Sequence, residues 1–588
     1  MRTSVAIRAG VLGETLVERR TSGRKLSGCV ALIAALALSV FAFAKEKDKE
    51  NNSEVKFTAR TELVLIPVLV TDKSGNHITR LKKEDFTVLE NGGEQKISTF
   101  EEITSDPHRL SRPKNPNPNE FSNSVAGEAS NRRITLLVLD LLNTRFTDQA
   151  YARQDLLKYL TQSVDQREPT ALYILTRSGI HVVHDFTTDP RILVAALHKV
   201  KGDAYHMVDS SEDVEALTGT ASPDGSAGLD PGAVQTEAQK LQAMMEDQEL
   251  NFQSFQQRLA ITYTLEAMQQ VAQALAGFPG RKSLIWASGG FPFSVSDNTM
   301  QLAPAGRDSL SDVLPLYEHT WQLLNDAQIA LYPVDVKGLQ IVGVAGPEVR
   351  NPGKNYTRNM NWKNLDTQST LETFASMTGG RAYFNSNDLA RGFRAAVNDS
   401  SEYYMLGYYL DRSKTKAGWR KLAVKVKREH VDVRARSGFF VTNATVDPEN
   451  SRNGDISSAL QSPLDYTSLA LTARWGNIGP GTEAGKRRVI YEIHLTPDAA
   501  VIDDADNNHV VMEFMALART PEGKAVDQPS GKTIDAHLTP ERLAAVHQLG
   551  LAYAGALDLA PGEYTVRFVV RDDLSGRVGS VTAPLEVK

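Results

Sequence analysis

The chain has 588 residues, is 41% hydrophobic and 23% charged, and carries a formal net charge of −6. That length exceeds what one hydrophobic core supports, so about three or four domains are expected. The mild acidity excludes a dedicated nucleic-acid binder, which concentrates basic residues on one face. The one short basic cluster, Arg420, Lys421, Lys425, Lys427 and Arg428, alternates with apolar residues and reads as the wet face of a strand.

Residues 1–44 read as a cleavable signal peptide, with an uncleaved anchor as the alternative. Arg19, Arg20, Arg24 and Lys25 precede an uncharged run, Gly28–Ala44, that closes on Ala42-Phe43-Ala44. Cleavage there predicts an exported chain, destined for periplasm, cell surface or medium, with no stable membrane span. It also removes Cys29, the single cysteine, and with it any disulfide. Residues 55–102 alternate with period two and break at "DKSGN" and "ENGGE", which predicts an N-terminal β segment. Residues 103–132 are rich in Pro, Asn and Ser and read as a linker.

From Ile134 the rhythm changes. "ITLLVLD" is continuously apolar, as expected of a strand covered on both faces. "FTDQAYARQDLLKYLTQSV", "DPRILVAALHKV", "LSDVLPLYEHTWQLLNDA" and "TLETFASMTGG" have helical spacing, and "GRKSLIWASGG" and "AQIALYPVDV" are again buried strands. This alternation predicts a doubly wound parallel sheet over 133–400. An acidic, then helical, insertion is expected at about 203–260. The helical pattern continues over 233–276. Its apolar stripe, including Val234, Met245, Phe252, Phe255 and Leu259, must bury on its own domain or serve self-association. Residues 401–441 return to alternation. That segment and 55–102 are both short for independent sandwiches, so the two are expected to pair. A second linker is read at 442–465. Residues 466–588, with "LAPGEYTVRFVV", predict an immunoglobulin-like sandwich.

Asp140 ends the first buried strand, where ligands of open α/β sheets sit. A hard cation needs about six oxygens there, one of which a partner's carboxylate can supply. The ordered set "LLVLDLLNTRFTDQ", "FPGRKSLIWASGGFP", "IALYPVDVKGL", "LETFASMTGGRAYFN" and "YYMLGYYL…WRKLAVKVKREHVDVRARSGFF" resembles the von Willebrand factor A (VWFA)-related domain proteins of acidobacterial type, over roughly Val55 to Phe440. The resemblance implies a von Willebrand A-type fold and an adhesive, partner-binding role. The broader family binds a metal through D-x-S-x-S, a Thr and a further Asp. Against that pattern, Asp140 matches, Leu142 offers no oxygen, Thr144 and Asn143 offer substitutes, and Ser288 stands for the last Asp. Thr262 and Thr264 are the candidates for the Thr, unless an unbroken helix turns their hydroxyls back onto it.

Two readings of this crest stay open. In one, Asp140, Asn143 and Thr144 hold Mg²⁺ or Ca²⁺ weakly. In the other, Asp140 is hydrogen-bonded to loop amides. Asp335 is expected two strands away, about 10 Å, too far to share one ion without a water. The expected function is non-catalytic binding of a protein or envelope polymer through a surface lined by Asp140, Asn143, Thr144, Ser288 and Asp335. A structural spacer and an exported hydrolase are the alternatives. No nucleophile elbow, Walker loop, H-E-x-x-H or G-x-G-x-x-G occurs. His181 and His184 lie three apart on a strand and are expected on opposite faces, and Asp503-Asp504 and Asp572-Asp573 in exposed turns.

Overall fold

The computed structural model describes residues 61–104, 119–124, 134–162, 169–200, 231–296, 299–301, 310–338, 367–386, 389–399, 402–411, 415–441, 448–497, 499–503 and 506–588. The expected signal peptide, residues 1–44, and the acidic stretch 203–230 lie outside them. The protein is mixed α/β and richer in strand than in helix. Among the described residues no helix is long and apolar enough to cross a membrane.

The chain opens with β1 (Thr61–Thr71), β2 (Phe86–Glu90), β3 (Gly93–Gln95) and β4 (Thr99–Thr104). Asn91 and Gly92 both have positive φ and close the β2–β3 hairpin, the conformation a two-residue turn needs to match strand twist. The stretch 103–132, read as a linker, contains β5 (Glu120–Ser122).

The central unit follows: β6 (Thr135–Asp140), α1 (Phe146–Gln162), β7 (Thr170–Thr176), β8 (Gly179–Thr187), α2 (Pro190–Lys199), α3 (Pro231–Leu275), β9 (Lys282–Ser288), β10 (Ser294–Ser296), β11 (Thr299–Gln301), α4 (Leu310–Asp326), β12 (Ile329–Asp335), α5 (residues 367–378) and α6 (Leu389–Asn398). Its sheet has the order β12-β9-β6-β7-β8. The first four strands are parallel, and β8 runs antiparallel at one edge. Helices cover both faces, which explains the unbroken apolar run. Leu136 and Val138 of β6 enter the core shared with α3 and α4, while Leu137 and Leu139 enter the opposite core with α1, α2 and α6. All four are essentially inaccessible. Each stabilises the fold by about 1.5–3 kcal/mol through burial.

Helix α3 is 45 residues long, and its two ends differ in burial. From Ala260 to Leu275 it packs into its own domain's core. Before that point Phe255, read from spacing as part of the buried stripe, is exposed, and so is Met244.

The chain then forms β13 (Glu402–Asp411), β14 (Gly418–Val426), β15 (Asp432–Arg434) and β16 (Gly438–Val441). β13 lies between β1 and β4, and β14 between β16 and β2, so both sheets draw on both β segments. Tyr404 and Tyr408 face the core between the sheets, and Tyr409 faces water. The central unit is thus inserted between strands of one two-sheet body.

The stretch 442–465, also read as a linker, carries helix α7 (Pro448–Gln461). Ile456, Ala459 and Leu460 share one face and bury against Leu517, Val569 and Val578. Then come β17 (Leu471–Pro480), β18 (Arg487–Leu495), β19 (His509–Arg519), β20 (Ser530–His537), α8 (Pro540–Leu549), β21 (Leu551–Leu559), β22 (Gly562–Asp572) and β23 (Val578–Val587). The sheets β21-β18-β17-β5 and β20-β19-β22-β23 enclose one core. β5 is an edge strand of the first. Asn123, just after it, donates its amide to the carbonyls of Tyr466 and Leu469 and accepts from the Leu471 N–H.

Candidate functional site

The crest of the central sheet is built around Asp140. The carboxylate Oδ1 accepts the Asn143 backbone N–H at 2.9 Å, and Oδ2 accepts the Asn143 Nδ2–H at 2.9 Å and the Trp286 indole N–H at 3.0 Å. The Ser288 hydroxyl lies 2.9 Å from Oδ2 and 2.5 Å from the Gly290 carbonyl, so its one hydrogen serves either. Thr144 Oγ1 donates to the Asp140 carbonyl and accepts the Gly289 N–H. Below them, the second Nδ2 hydrogen of Asn143 goes to Thr264 Oγ1 at 2.9 Å, and that hydroxyl donates back to the Ala260 carbonyl within α3. Gln149 on α1 pins the loop from its other side, donating to the carbonyls of Leu141 and Thr144.

This geometry decides between the two readings of the crest. A cation needs lone pairs, and here hydrogens stand on them. Asp140 Oδ2 is saturated, Thr144 Oγ1 is used twice, Thr264 is turned back onto its helix, and Leu142 is buried hydrocarbon. Asn143 Oδ1 is the one network oxygen without a partner. With the one spare lone pair of Asp140 Oδ1, which accepts only the Asn143 N–H, that is still far from the roughly six oxygens Mg²⁺ or Ca²⁺ requires. Asp140, Asn143 and Thr144 therefore do not fit a metal site, and the Trp286 indole N–H takes one of the positions on Oδ2 that an ion would need.

The binding surface expected from the sequence is also corrected. Asp140 and Thr144 are 0% exposed, Ser288 1%, Asp335 3% and Asn143 6%. Four of these five form one internal network. Asp335 stands apart, two strands away in the β12-β9-β6 order, and accepts the Lys337 N–H at 3.0 Å. Burial raises the Asp140 carboxyl above the usual carboxylate range, against the hydrogen bonds from Asn143, Trp286 and Ser288, which favour the charged form. Burial raises Asp335 likewise, opposed by Lys337.

What the crest does present to water is the next residue group along the chain. Phe146, the first residue of α1, is 52% exposed. Arg145 and Asp148 beside it form an ion pair at 2.9 Å. Sequence reading passed over Phe146, Trp286 and Gln149. Nothing in a linear spacing distinguishes an aromatic held out in water from one packed in a core. The single available signal is that Phe146 breaks the polar character of the helix start, "NTRFTD".

The other expectations fall as follows. A β-bulge at Val183 sets Leu172 opposite His184 but Tyr173 opposite Val182, which shifts the side-chain phase by one. His181 and His184, expected on opposite faces, consequently line the same groove between β8 and α2, with Arg191 and Lys199. Asp572, expected in an exposed turn, is fully buried. It accepts from the N–H groups of Val501 and Leu574 and from the Ser575 hydroxyl. Asp504 lies outside the described residues. Ser288 has Asp140 and Gly290 as its partners, with no histidine among them. No family model matches this chain, and no curated protein matches it.

Proposed function

We propose that this chain is an exported, non-catalytic protein-binding module of the VWFA-related kind: a von Willebrand A-type domain inserted in a β-sandwich and followed by an immunoglobulin-like sandwich. The motif set from Val55 to Phe440 and the helix-covered sheet with β6 at its centre support the first assignment. The two sheets enclosing one core at the carboxyl end support the second. The observation that carries the binding role is the contrast within the crest loop. Its polar groups are consumed by a buried network that fixes the backbone, while Phe146, three positions past Asn143, holds an aromatic ring in water between Arg145 and Asp148. A rigid loop displaying an aromatic anchor with charges at its rim is the arrangement that protein recognition rewards.

The test is site-specific photo-crosslinking with a benzophenone amino acid at position 146, in cells that make the full chain. A discrete adduct that unlabelled chain competes away, and that the same probe at exposed Leu549 does not give, supports the crest as the recognition face. Adducts identical at 146 and 549 would assign the crest to no partner and leave the spacer role in its place.

A further inference from the structure

The geometry points to a second, unrelated site: a binding site for a divalent transition metal on the C-terminal unit, formed by Asp506, His509 and His537. His509 opens β19 and His537 closes β20, and the two are directly opposite in the antiparallel register. Their rings stack, with centroids 4.6 Å apart and planes 10° from parallel. Asn507 and Asn508 both have positive φ, so the chain before β19 turns back on itself and brings Asp506 over the pair. One carboxylate oxygen of Asp506 is 3.2 Å from His509 Nδ1, and the other is 3.6 Å from His537 Nε2. Three donor atoms of the kinds that bind zinc, copper or nickel thus converge within 4.8 Å of one another.

The fourth residue makes this more than proximity. Asp535 lies two positions before His537 on β20, hence on the same face. Its Oδ1 is 2.7 Å from Nε2 of His509. A carboxylate there can only accept, so when a metal takes the Nδ1 lone pair the ring hydrogen sits on Nε2 and is donated to Asp535. Metal-binding histidines are held this way, with the far ring nitrogen donating to a carboxylate that fixes tautomer and orientation. The site is reachable: the side chains of His509 and His537 are 19% and 49% exposed. Two imidazoles and one carboxylate leave the remaining coordination positions to water or to a ligand from another molecule. The set suits a borderline metal such as Zn²⁺ and is too poor in oxygen for Mg²⁺ or Ca²⁺. It shares no residue with the crest and does not rest on the binding role proposed for it.

The full chain, stripped with chelator, is titrated with Zn²⁺ by calorimetry, and stoichiometry is measured by equilibrium dialysis. One tight equivalent is expected in the wild type. His509→Ala and His537→Ala lose it, Asp535→Asn keeps the stoichiometry with about 10–100-fold weaker affinity, and His547→Ala, an exposed histidine elsewhere, changes nothing. Melting curves in chelator verify that each variant is folded, and His537→Gln, which keeps the side chain's bulk, decides the matter if an alanine variant is not. No tight equivalent in the wild type, or undiminished affinity in the histidine variants, overturns the site. Undiminished affinity in Asp535→Asn overturns the orienting role.

Discussion

Two regions of this molecule set an aspartate among candidate metal ligands, and they differ in what surrounds the lone pairs. At the crest, Asp140 is completely buried and receives hydrogens from Asn143 and Trp286, with Ser288 in reach. At the β19–β20 edge, Asp506 is exposed and faces two imidazole nitrogens. The crest is the ligand set that spacing suggests, yet its oxygens are spent on holding a loop. What decides whether a polar cluster can take a ligand is therefore not its residue types but whether the fold has already supplied hydrogens to its acceptors.

The largest effect that sharpens this contrast is Asp140→Ala. It strands the Trp286 indole N–H and both Asn143 donors in the interior, so the central unit should lose about 3 kcal/mol or more, read as a lower midpoint in urea unfolding followed by tryptophan fluorescence. A null result would mean the network is ornamental. The pH dependence follows. The folded-state carboxyl of Asp140 is raised by burial, so the favourable contribution of its protonated form is fully present below the unfolded value of about 4. That contribution is lost as pH rises through the folded value. Asp140→Asn should flatten this decline in melting temperature with pH; an unchanged slope would place the titrating group elsewhere. Next, Gln149→Ala should cost about 1–2 kcal/mol, since the carbonyls of Leu141 and Thr144 lose their shared donor. Smallest of all on stability is Phe146→Ala, within about 0.5 kcal/mol because the ring is half in water, whereas crosslinking from neighbouring crest positions should disappear. If Phe146→Ala melts several degrees lower, the ring is structural and the comparison between platform and anchor fails.

How far the sequence was readable follows the same logic of local against distant information. The unbroken apolar runs of β6, β9 and β12 are visible because both sheet faces are covered, and α3 is visible because its 3–4 spacing is long. The shortness of both β segments around the insertion is the readable hint that they share sheets. β5 is not readable: three residues carry no period, and Glu120-Phe121-Ser122 becomes a strand only because β17 offers it an edge. α7 hides because its polar residues outnumber the few that bury. The bulge at Val183 leaves no mark in composition, yet it brings the two histidines onto one face. Likewise the aspartate of the crest is plain in "VLDLLN", but the indole N–H that it accepts comes from Trp286, on a different strand.

The insertion of β5 into the C-terminal sheet has a bearing on how the polypeptide is made. Ser122 and the Leu471 carbonyl it binds are 349 positions apart, so β5 cannot find its sheet partner until β17 has been made. Pairing of β5 with β17 closes a long loop, and contacts so distant along the chain are slow to form. A truncation after Val441 would remove that partner strand and deprive an early segment of its resting place.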